Sequence, residues 1–218
     1  MIKTLSDYSK GAQKIILAGE RLVALHGFDG VSVRAILTSA GQANKSAIQY
    51  FFESKEGLIR TIFDLRQAEL DDARREWLLG GCGRDADSYD ALITAIMQPM
   101  LHVFDDVGLE IFARFILQLM ASRWDDPIFA QEREPYTTRM INERLRQQCG
   151  HLPNDVFQMR YRLAVILFLN GIAQRGLLLR TGRDPYGSIE NFWSQMLESI
   201  IDLFLQPYHS ELVDQAMP

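Results

Sequence analysis

The sequence predicts an all-α fold with a small N-terminal domain and a larger C-terminal domain. Apolar residues recur at helical spacing through nearly all of the 218 residues, and no alternating strand pattern of useful length interrupts them. Residues 1–60 carry eight Lys or Arg and five Asp or Glu, a net charge of +3, which leaves −8 for the rest of a chain whose total is −5. A basic first domain on an acidic body indicates that one end binds a polyanion.

Two helices are predicted in the first 40 residues. Gly27 follows an apolar stripe at helical spacing and marks the end of a first helix over residues 9–26. Ser32 stands where an N-cap belongs, and Gly41 ends the short second helix that Ser32 begins. A tight turn then leads into the next helix.

The third and fourth helices follow without a long loop. Asn44 is expected to cap a third helix over residues 45–52, with Ala47, Ile48 and one of Phe51 and Phe52 directed into the core. Ser54 is expected to cap a fourth helix that runs to about residue 79 and whose length suits a connector between two domains.

The remaining chain predicts a helical body. The segment "GGCGRDADS", residues 80–88, is the clearest loop. Pro99 and Pro135 should kink or break two of the helices that follow, whereas Pro127 and Pro153 suit first turns. The predicted helical stretches lie near residues 88–105, 108–123, 127–148, 153–180 and 187–205, and the tail beyond Pro207 is expected to be loose.

The second and third helices form a helix-turn-helix candidate. The second helix of such a motif can enter the major groove when its outward side chains are short enough for close approach and polar enough to meet base edges. Here the outward side chains would be Lys45, Ser46, Gln49 and Tyr50.

These residues resemble the TetR family of transcriptional repressors. The resemblance runs from "AGERLVALHGFDGVSVRAI" through "AGQANKSAIQYFFESKEGLI" and includes Gly-Phe after the first helix, Ser-Val-Arg, the Ala-Gly turn, Tyr-x-Phe and Ser-Lys-Glu. It implies an N-terminal three-helix helix-turn-helix DNA-binding domain, residues 1–56, and a larger C-terminal helical ligand-binding and dimerisation domain, residues 57–218. It also implies a homodimer that a small-molecule effector controls.

The resemblance assigns DNA contacts residue by residue. Ser32 and Arg34 fall where the family touches phosphates or a base, and Lys55 falls at a phosphate contact beside the fourth helix, whose N-terminal N–H groups favour an anion. The full predicted set is Ser32, Arg34, Asn44, Lys45, Ser46, Gln49, Tyr50 and Lys55. The chain departs from the family pattern in a turn that is one residue longer, in Gln42 in place of an apolar residue, and in Phe51 where histidine is common.

Structural roles are alternatives for several of these residues. Ser32 is an expected helix cap, which does not exclude a phosphate contact. Arg34 could instead pair with Asp29 or Glu53 on the surface. Tyr50 and Phe51 could belong to an aromatic plug between the helices.

Two apolar segments predict self-association. "RLAVILFLNGIA", residues 162–173, is apolar around most of its circumference, and "FWSQMLESIIDLFL", residues 192–205, carries a wide apolar stripe. A four-helix interface about a two-fold axis would cover both segments, so we expect a homodimer through roughly residues 156–180 and 187–205.

A mixture of apolar and polar residues in the body predicts a ligand pocket, because such sites combine an apolar wall with few polar anchors. Each polar group among them could equally be satisfied within the fold or face solvent. The candidate ligand-binding residues are His102, Phe104, Arg114, Phe115, Gln118, Trp124, Asn170 and Gln174.

Signals for an enzyme are weak. The four histidines are scattered, and the chain has no HExxH, no Gly-rich phosphate loop and no GxSxG, so we expect no catalytic residue, metal or cofactor. The early charges and the lack of an uninterrupted apolar run of about 18 residues predict a cytoplasmic protein without a membrane partner. A helical protein-interaction module without DNA binding and a helical enzyme using the C-terminal cavity are the alternatives to a DNA-binding regulator.

Overall fold

The computed structural model describes residues 4–80, 87–122, 134–183 and 186–208, and every regular element in these ranges is helical. A short 3-10 helix, Leu5–Asp7, precedes the first α-helix. The α-helices are α1 (Lys10–His26), α2 (Val33–Ser39), α3 (Ala47–Phe52), α4 (Lys55–Leu79), α5 (Tyr89–Met97), α6 (Met100–Val103), α7 (Asp106–Met120), α8 (Tyr136–Gln148), α9 (Asn154–Arg180) and α10 (Ile189–Leu205). The all-α prediction is confirmed.

Local signals in the sequence fix most helix ends. Ser9 accepts a hydrogen bond from the Ala12 amide at 3.3 Å and begins α1, and Gly27, with φ of 73°, ends it. Pro99 divides the predicted stretch 88–105 into α5 and α6, as a residue without an amide proton should. Pro153 takes the N-cap position of α9.

Several predictions lie partly or wholly outside the described residues. These are most of the loop at residues 80–88, the segment 127–133 with Pro127, and the tail after residue 208. Pro135 lies immediately before α8, so the described part of the predicted stretch 127–148 begins at Tyr136.

Helix α4 connects the N-terminal helices to the body. It packs on α1 and α3 and also on α5, α6 and α8. Its buried side chains include Leu58 and Ile62 near its start and Leu70 farther along. Because α1 also packs on α7, the first helices and the body share one hydrophobic core, and the division at residue 56 stays a prediction.

The body is arranged around α7. This helix packs on α1 on one side and on α9 on another, while α9 packs on α10, and α10 on α5. Phe112 and Phe115 are at most 2% exposed, so α7 supplies bulky side chains to the centre of the core. Helix α8 packs on both α4 and α5 and completes this arrangement.

An ion pair joins α1 to α4 at the edge of the core. The Arg66 guanidinium donates two hydrogen bonds to Glu20, from Nε to Oε1 at 2.8 Å and from Nη2 to Oε2 at 2.7 Å, and a third to Glu69. The Glu20 side chain is 5% exposed. Such two-pronged pairing both satisfies a buried carboxylate and fixes the relative position of the helices.

One helix within the described ranges, α9, has the length and apolar composition that would allow it to cross a membrane. Only 33% of its most apolar 18-residue window is buried. Core helices of soluble proteins meet the same criteria of length and composition.

Glu20→Gln should lower the free energy of unfolding by about 2 kcal/mol, because it removes the charge that neutralises the half-buried Arg66. Urea denaturation measures this loss. Asp72→Asn is the matched control, because the Arg75–Asp72 pair is exposed on both sides and should contribute at most about 0.5 kcal/mol. Equal losses in the two variants would contradict a special role for the Glu20 pair.

Candidate functional site

Helices α2 and α3 form a helix-turn-helix whose turn is set by Gly41. The Gly41 amide donates to the Thr38 carbonyl at 3.1 Å and the Gln42 amide to the Leu37 carbonyl at 2.9 Å. This pair of bonds is a Schellman motif, which requires a left-handed residue, and Gly41 has φ of 65°. The glycine therefore ends α2 at the position where the sequence predicts it.

The turn continues farther than the sequence predicts. The Asn44 side chain accepts a hydrogen bond from the Ser46 amide at 2.9 Å, and the Asn44 carbonyl accepts one from the Ala47 amide. These bonds hold Lys45 and Ser46 in a turn, so α3 begins at Ala47 and the prediction of a helix from residue 45 is wrong. An asparagine can cap a turn as readily as a helix, which explains the difference.

The outward face of α3 carries polar side chains. Gln49 and Tyr50 are exposed, and Tyr50 is 79% accessible to solvent. Phe52 is buried, whereas Phe51 is 37% exposed and contacts the Tyr50 ring edge-on at a centroid distance of 4.8 Å. The interpretation of Phe51 as part of a buried plug is therefore wrong, and Tyr50 and Phe51 form an aromatic pair at the surface.

Helix α2 and the turn after it carry other residues that the sequence predicts to contact DNA. The Ser32 hydroxyl accepts a hydrogen bond from the Ala35 amide at 3.1 Å and caps α2, as expected. Ser32 and Arg34 are both exposed, and so are Lys45 and Ser46 in the turn. The packing of α2 on α3 brings these two helices together, so a polar and cationic surface borders the outward face of α3.

Lys55 has a structural role that the sequence does not reveal. Its ammonium donates a hydrogen bond to the Phe28 carbonyl and lies 4.0 Å from the centroid of the Phe28 ring. The side chain thus ties the start of α4 to the turn after α1. A phosphate contact by Lys55 stays a prediction.

The start of α4 lies very close to the end of α3. A Cβ atom on Gly57 would stand 1.9 Å from the Phe52 carbonyl oxygen, so only glycine fits there. Ser54 caps α4 by accepting a hydrogen bond from the Gly57 amide at 2.9 Å. Any shift of this end of α4 must therefore be transmitted to α3.

A cavity of about 1250 Å³ lies in the body between α4, α5, α7, α8 and α9. Its apolar wall includes Met97, Phe112, Ile116 and Phe168. Phe63, Gln67 and Arg74 of α4 also line it, so the helix that touches α3 forms one side of the cavity.

Five residues that we call the polar cluster lie on one side of the cavity: Arg74, Glu134, Thr138, Asn142 and Tyr161. Arg74 Nη1 donates to the Thr138 hydroxyl at 2.8 Å, and Asn142 donates to Glu134. Burial lowers the pKa of Arg74 and raises the pKa of Glu134. Burial also raises the pKa of Tyr161 to about 12, so the phenol is a neutral hydrogen-bond donor at physiological pH.

None of the predicted ligand-binding residues that the structure describes lines this cavity. Phe115 is fully buried, Phe104 stacks on Phe112 at 4.9 Å, and Gln118 lies against Gly27. Arg114 pairs with Glu110 at 2.7 Å. His102 stacks on Trp77 with the ring centroids 6.1 Å apart. Asn170 donates a hydrogen bond to the Ile166 carbonyl, and Gln174 is exposed to solvent. Trp124 lies outside the described residues.

The orientation of α7 and α9 explains this difference. On α7 the cavity side carries Phe112, Ile116 and Met120, which are spaced by four residues, so Arg114 and Gln118 point elsewhere.

One signal in the sequence could have indicated the polar cluster. Arg74 follows the buried Leu70 by four residues, so a charged side chain continues the buried stripe of α4.

A metal site is not evident in the described parts of the chain, where no group of three or more His, Cys, Asp or Glu residues could hold an ion.

Residues 15–62 match the family described as bacterial regulatory proteins, tetR family. No curated protein matches the chain. The matched segment runs from the middle of α1 into α4 and contains the complete helix-turn-helix.

Lys55→Met should lower the free energy of unfolding by about 1–2 kcal/mol, because the Phe28 carbonyl loses its donor and the ring loses its cation. Urea denaturation measures the effect. The matched variant is Lys45→Met, whose exposed side chain should change stability by less than about 0.5 kcal/mol. Identical stability of both variants would argue against the anchoring role of Lys55.

Proposed function

Because its N-terminal domain belongs to the TetR family of DNA-binding transcriptional regulators, we propose that the protein is a homodimeric cytoplasmic repressor of a palindromic operator. We propose further that a small, partly apolar effector releases it from the operator. The observation that carries the proposal is the exposed polar face of α3, bordered by Arg34 and Lys45, within the segment that matches the family.

The surface chemistry of the helix-turn-helix supports contact with duplex DNA. Gln49 can form paired hydrogen bonds with the edge of adenine in the major groove. Arg34 and Lys45 can neutralise phosphates, and Tyr50 can bond to the backbone. The formal charge of +3 on residues 1–60 favours approach to a polyanion despite the acidic body.

Exposed apolar side chains on α9 and α10 support a homodimer. Leu163, Leu167 and Leu177 of α9 are 41–47% exposed, and Leu205 of α10 is 49% exposed. Association of two copies through these helices would remove this apolar area from water. A dimer would also present two copies of α3 to the two half-sites of a palindrome, about one DNA turn apart.

The position of α4 supports control by an effector. One part of α4 lines the cavity and its first turn contacts α3 through Gly57. An effector that binds best when α4 is displaced would therefore change the separation of the two copies of α3. A preference of about 1.4 kcal/mol for that state changes its population relative to the DNA-bound state tenfold.

A helical protein-interaction module is the second candidate, and the exposed apolar faces of α9 and α10 are the observation that favours it. The two candidates differ in salt dependence. Binding to DNA releases counterions and weakens steeply as salt rises, whereas an apolar protein interface lacks this steep slope.

Selection of bound sequences from random duplex DNA tests the proposal directly. We expect the purified protein to enrich a palindrome and to bind it with a steep salt slope. Failure to retain any duplex at low salt would exclude the DNA-binding function.

Gln49→Ala should reduce the preference for the selected operator over random DNA by at least about thirtyfold, because two base-edge contacts of about 1–3 kcal/mol each, one per half-site, are lost. Fluorescence anisotropy with both duplexes measures the ratio of affinities. Gln148→Ala, an exposed change of the same kind in α8, is the control and should leave the ratio unchanged. Equal loss of affinity for both duplexes would indicate that Gln49 does not read bases.

Leu167→Glu should shift the protein toward monomer, because it places a charge in the apolar face that two copies would bury. Sedimentation velocity measures the distribution. Val107→Glu is the matched control, because Val107 is 65% exposed on α7, away from the proposed interface. A wild-type monomer, or equal dissociation in both variants, would contradict the proposed interface.

A further inference from the structure

The charge of the cavity is opposite to that of the body. The chain beyond residue 60 has a net charge of −8. The ionisable groups that line the cavity are nevertheless Arg74, Arg139, Arg146 and Arg162 against Glu134 and Glu143. An acidic body thus surrounds its cavity with an excess of cations.

Arg74 is the most deeply buried of these cations, with 3% of the residue exposed. Among the described residues, its guanidinium donates to two neutral oxygens, from Nε to the Ile96 carbonyl at 3.2 Å and from Nη1 to the Thr138 hydroxyl at 2.8 Å. Within the described part of the chain, Arg74 forms no salt bridge to a carboxylate. Asp71, one turn away, instead accepts hydrogen bonds from Thr137 and Thr138 at the start of α8.

Two other partly buried arginines pair with carboxylates. Arg66 pairs with Glu20 and Glu69, and Arg114 pairs with Glu110. A buried guanidinium cannot lose its proton at physiological pH, so its charge normally needs a nearby anion. Asp71 and Glu134 act electrostatically on Arg74, but neither carboxylate forms a salt bridge with the guanidinium, which faces the cavity.

The rest of the polar cluster is suited to a polar headgroup. Glu134 accepts a hydrogen bond from Asn142 Nδ2, while Asn142 Oδ1 is buried and has no partner in the described structure. Tyr161 carries a phenolic hydroxyl that can donate to an oxygen. The same cavity is lined by Met97, Phe112 and Phe168, whose side chains suit the apolar part of a ligand.

We infer that the cavity binds an amphiphilic anion, a largely hydrocarbon molecule with one carboxylate-type headgroup that Arg74 neutralises. This inference rests on the proposed function and specifies the chemical class of the effector. The headgroup lies beside α4, and the hydrocarbon part covers the apolar wall formed by α5, α7 and α9. A neutral molecule of the same shape leaves the charge of Arg74 uncompensated and binds more weakly.

Three ten-carbon probes that differ only in headgroup test the inference: decanoate, decanol and decylamine. Calorimetric titration of the full-length protein, with each probe below its micelle concentration, measures the dissociation constants. We expect decanoate to bind at least about tenfold more tightly than decanol, equal to about 1.4 kcal/mol, and decylamine to bind most weakly. Binding of decanol or decylamine as tight as that of decanoate, or no binding by any probe, would overturn the inference.

Variants assign the preference to Arg74. Arg74→Gln should abolish the advantage of decanoate over decanol, and Arg74→Lys should retain part of it because the charge remains. Arg75→Gln is the matched control, because the neighbouring Arg75 is exposed and pairs with Asp72. Should Arg74→Gln fail to fold, the comparison of the three probes on the wild-type protein and on Arg74→Lys decides the outcome.

Operator binding by the same wild-type preparation, measured without any probe, separates this inference from the proposed function. A protein that binds the operator but does not prefer decanoate retains the proposed function and loses this inference. A protein that prefers decanoate but binds no duplex retains the cavity chemistry and loses the DNA-binding function.

Discussion

The packing of α4 against two sets of helices is the constraint on which the rest of the structure depends. Its first turns bury Leu58 and Ile62 against α1 and α3, and its later turns bury Leu70 and Arg74 in the body. Protein interiors are closely packed, so a rigid helix that belongs to both regions cannot move in one without disturbing the other. The Glu20–Arg66 pair fixes the position of α4 along α1.

This arrangement gives a physical route between the cavity and the helix-turn-helix. Arg74 reaches the cavity from α4, and Gly57 on the same helix lies against the carbonyl end of α3. A ligand can shift an equilibrium only through its difference in affinity for two states. A ligand in the cavity would supply such a difference only through contacts that change with the position of α4, such as those to Phe63, Gln67 and Arg74.

The first helices and the body differ in the distribution of charge and of apolar surface. The first helices combine exposed cations with short polar side chains, which suits a polyanion with readable edges. The acidic body places Arg74 in the cavity and carries exposed apolar side chains on α9 and α10. The helix-turn-helix and the helices that line the cavity share one hydrophobic core through α4 and α7.

The sequence by itself determined the helical fold, the helix ends at Gly27, Ser32 and Gly41, and the family that residues 15–62 match. These features depend on residues within about one helical turn of each other, so periodicity and capping express them directly. Only the tertiary structure decided that Lys55 lies on Phe28 and that Arg74 rather than Arg114 faces the cavity. Those outcomes depend on which faces of distant helices meet, and a helix carries polar side chains at many angles without indicating which of them its neighbours will cover.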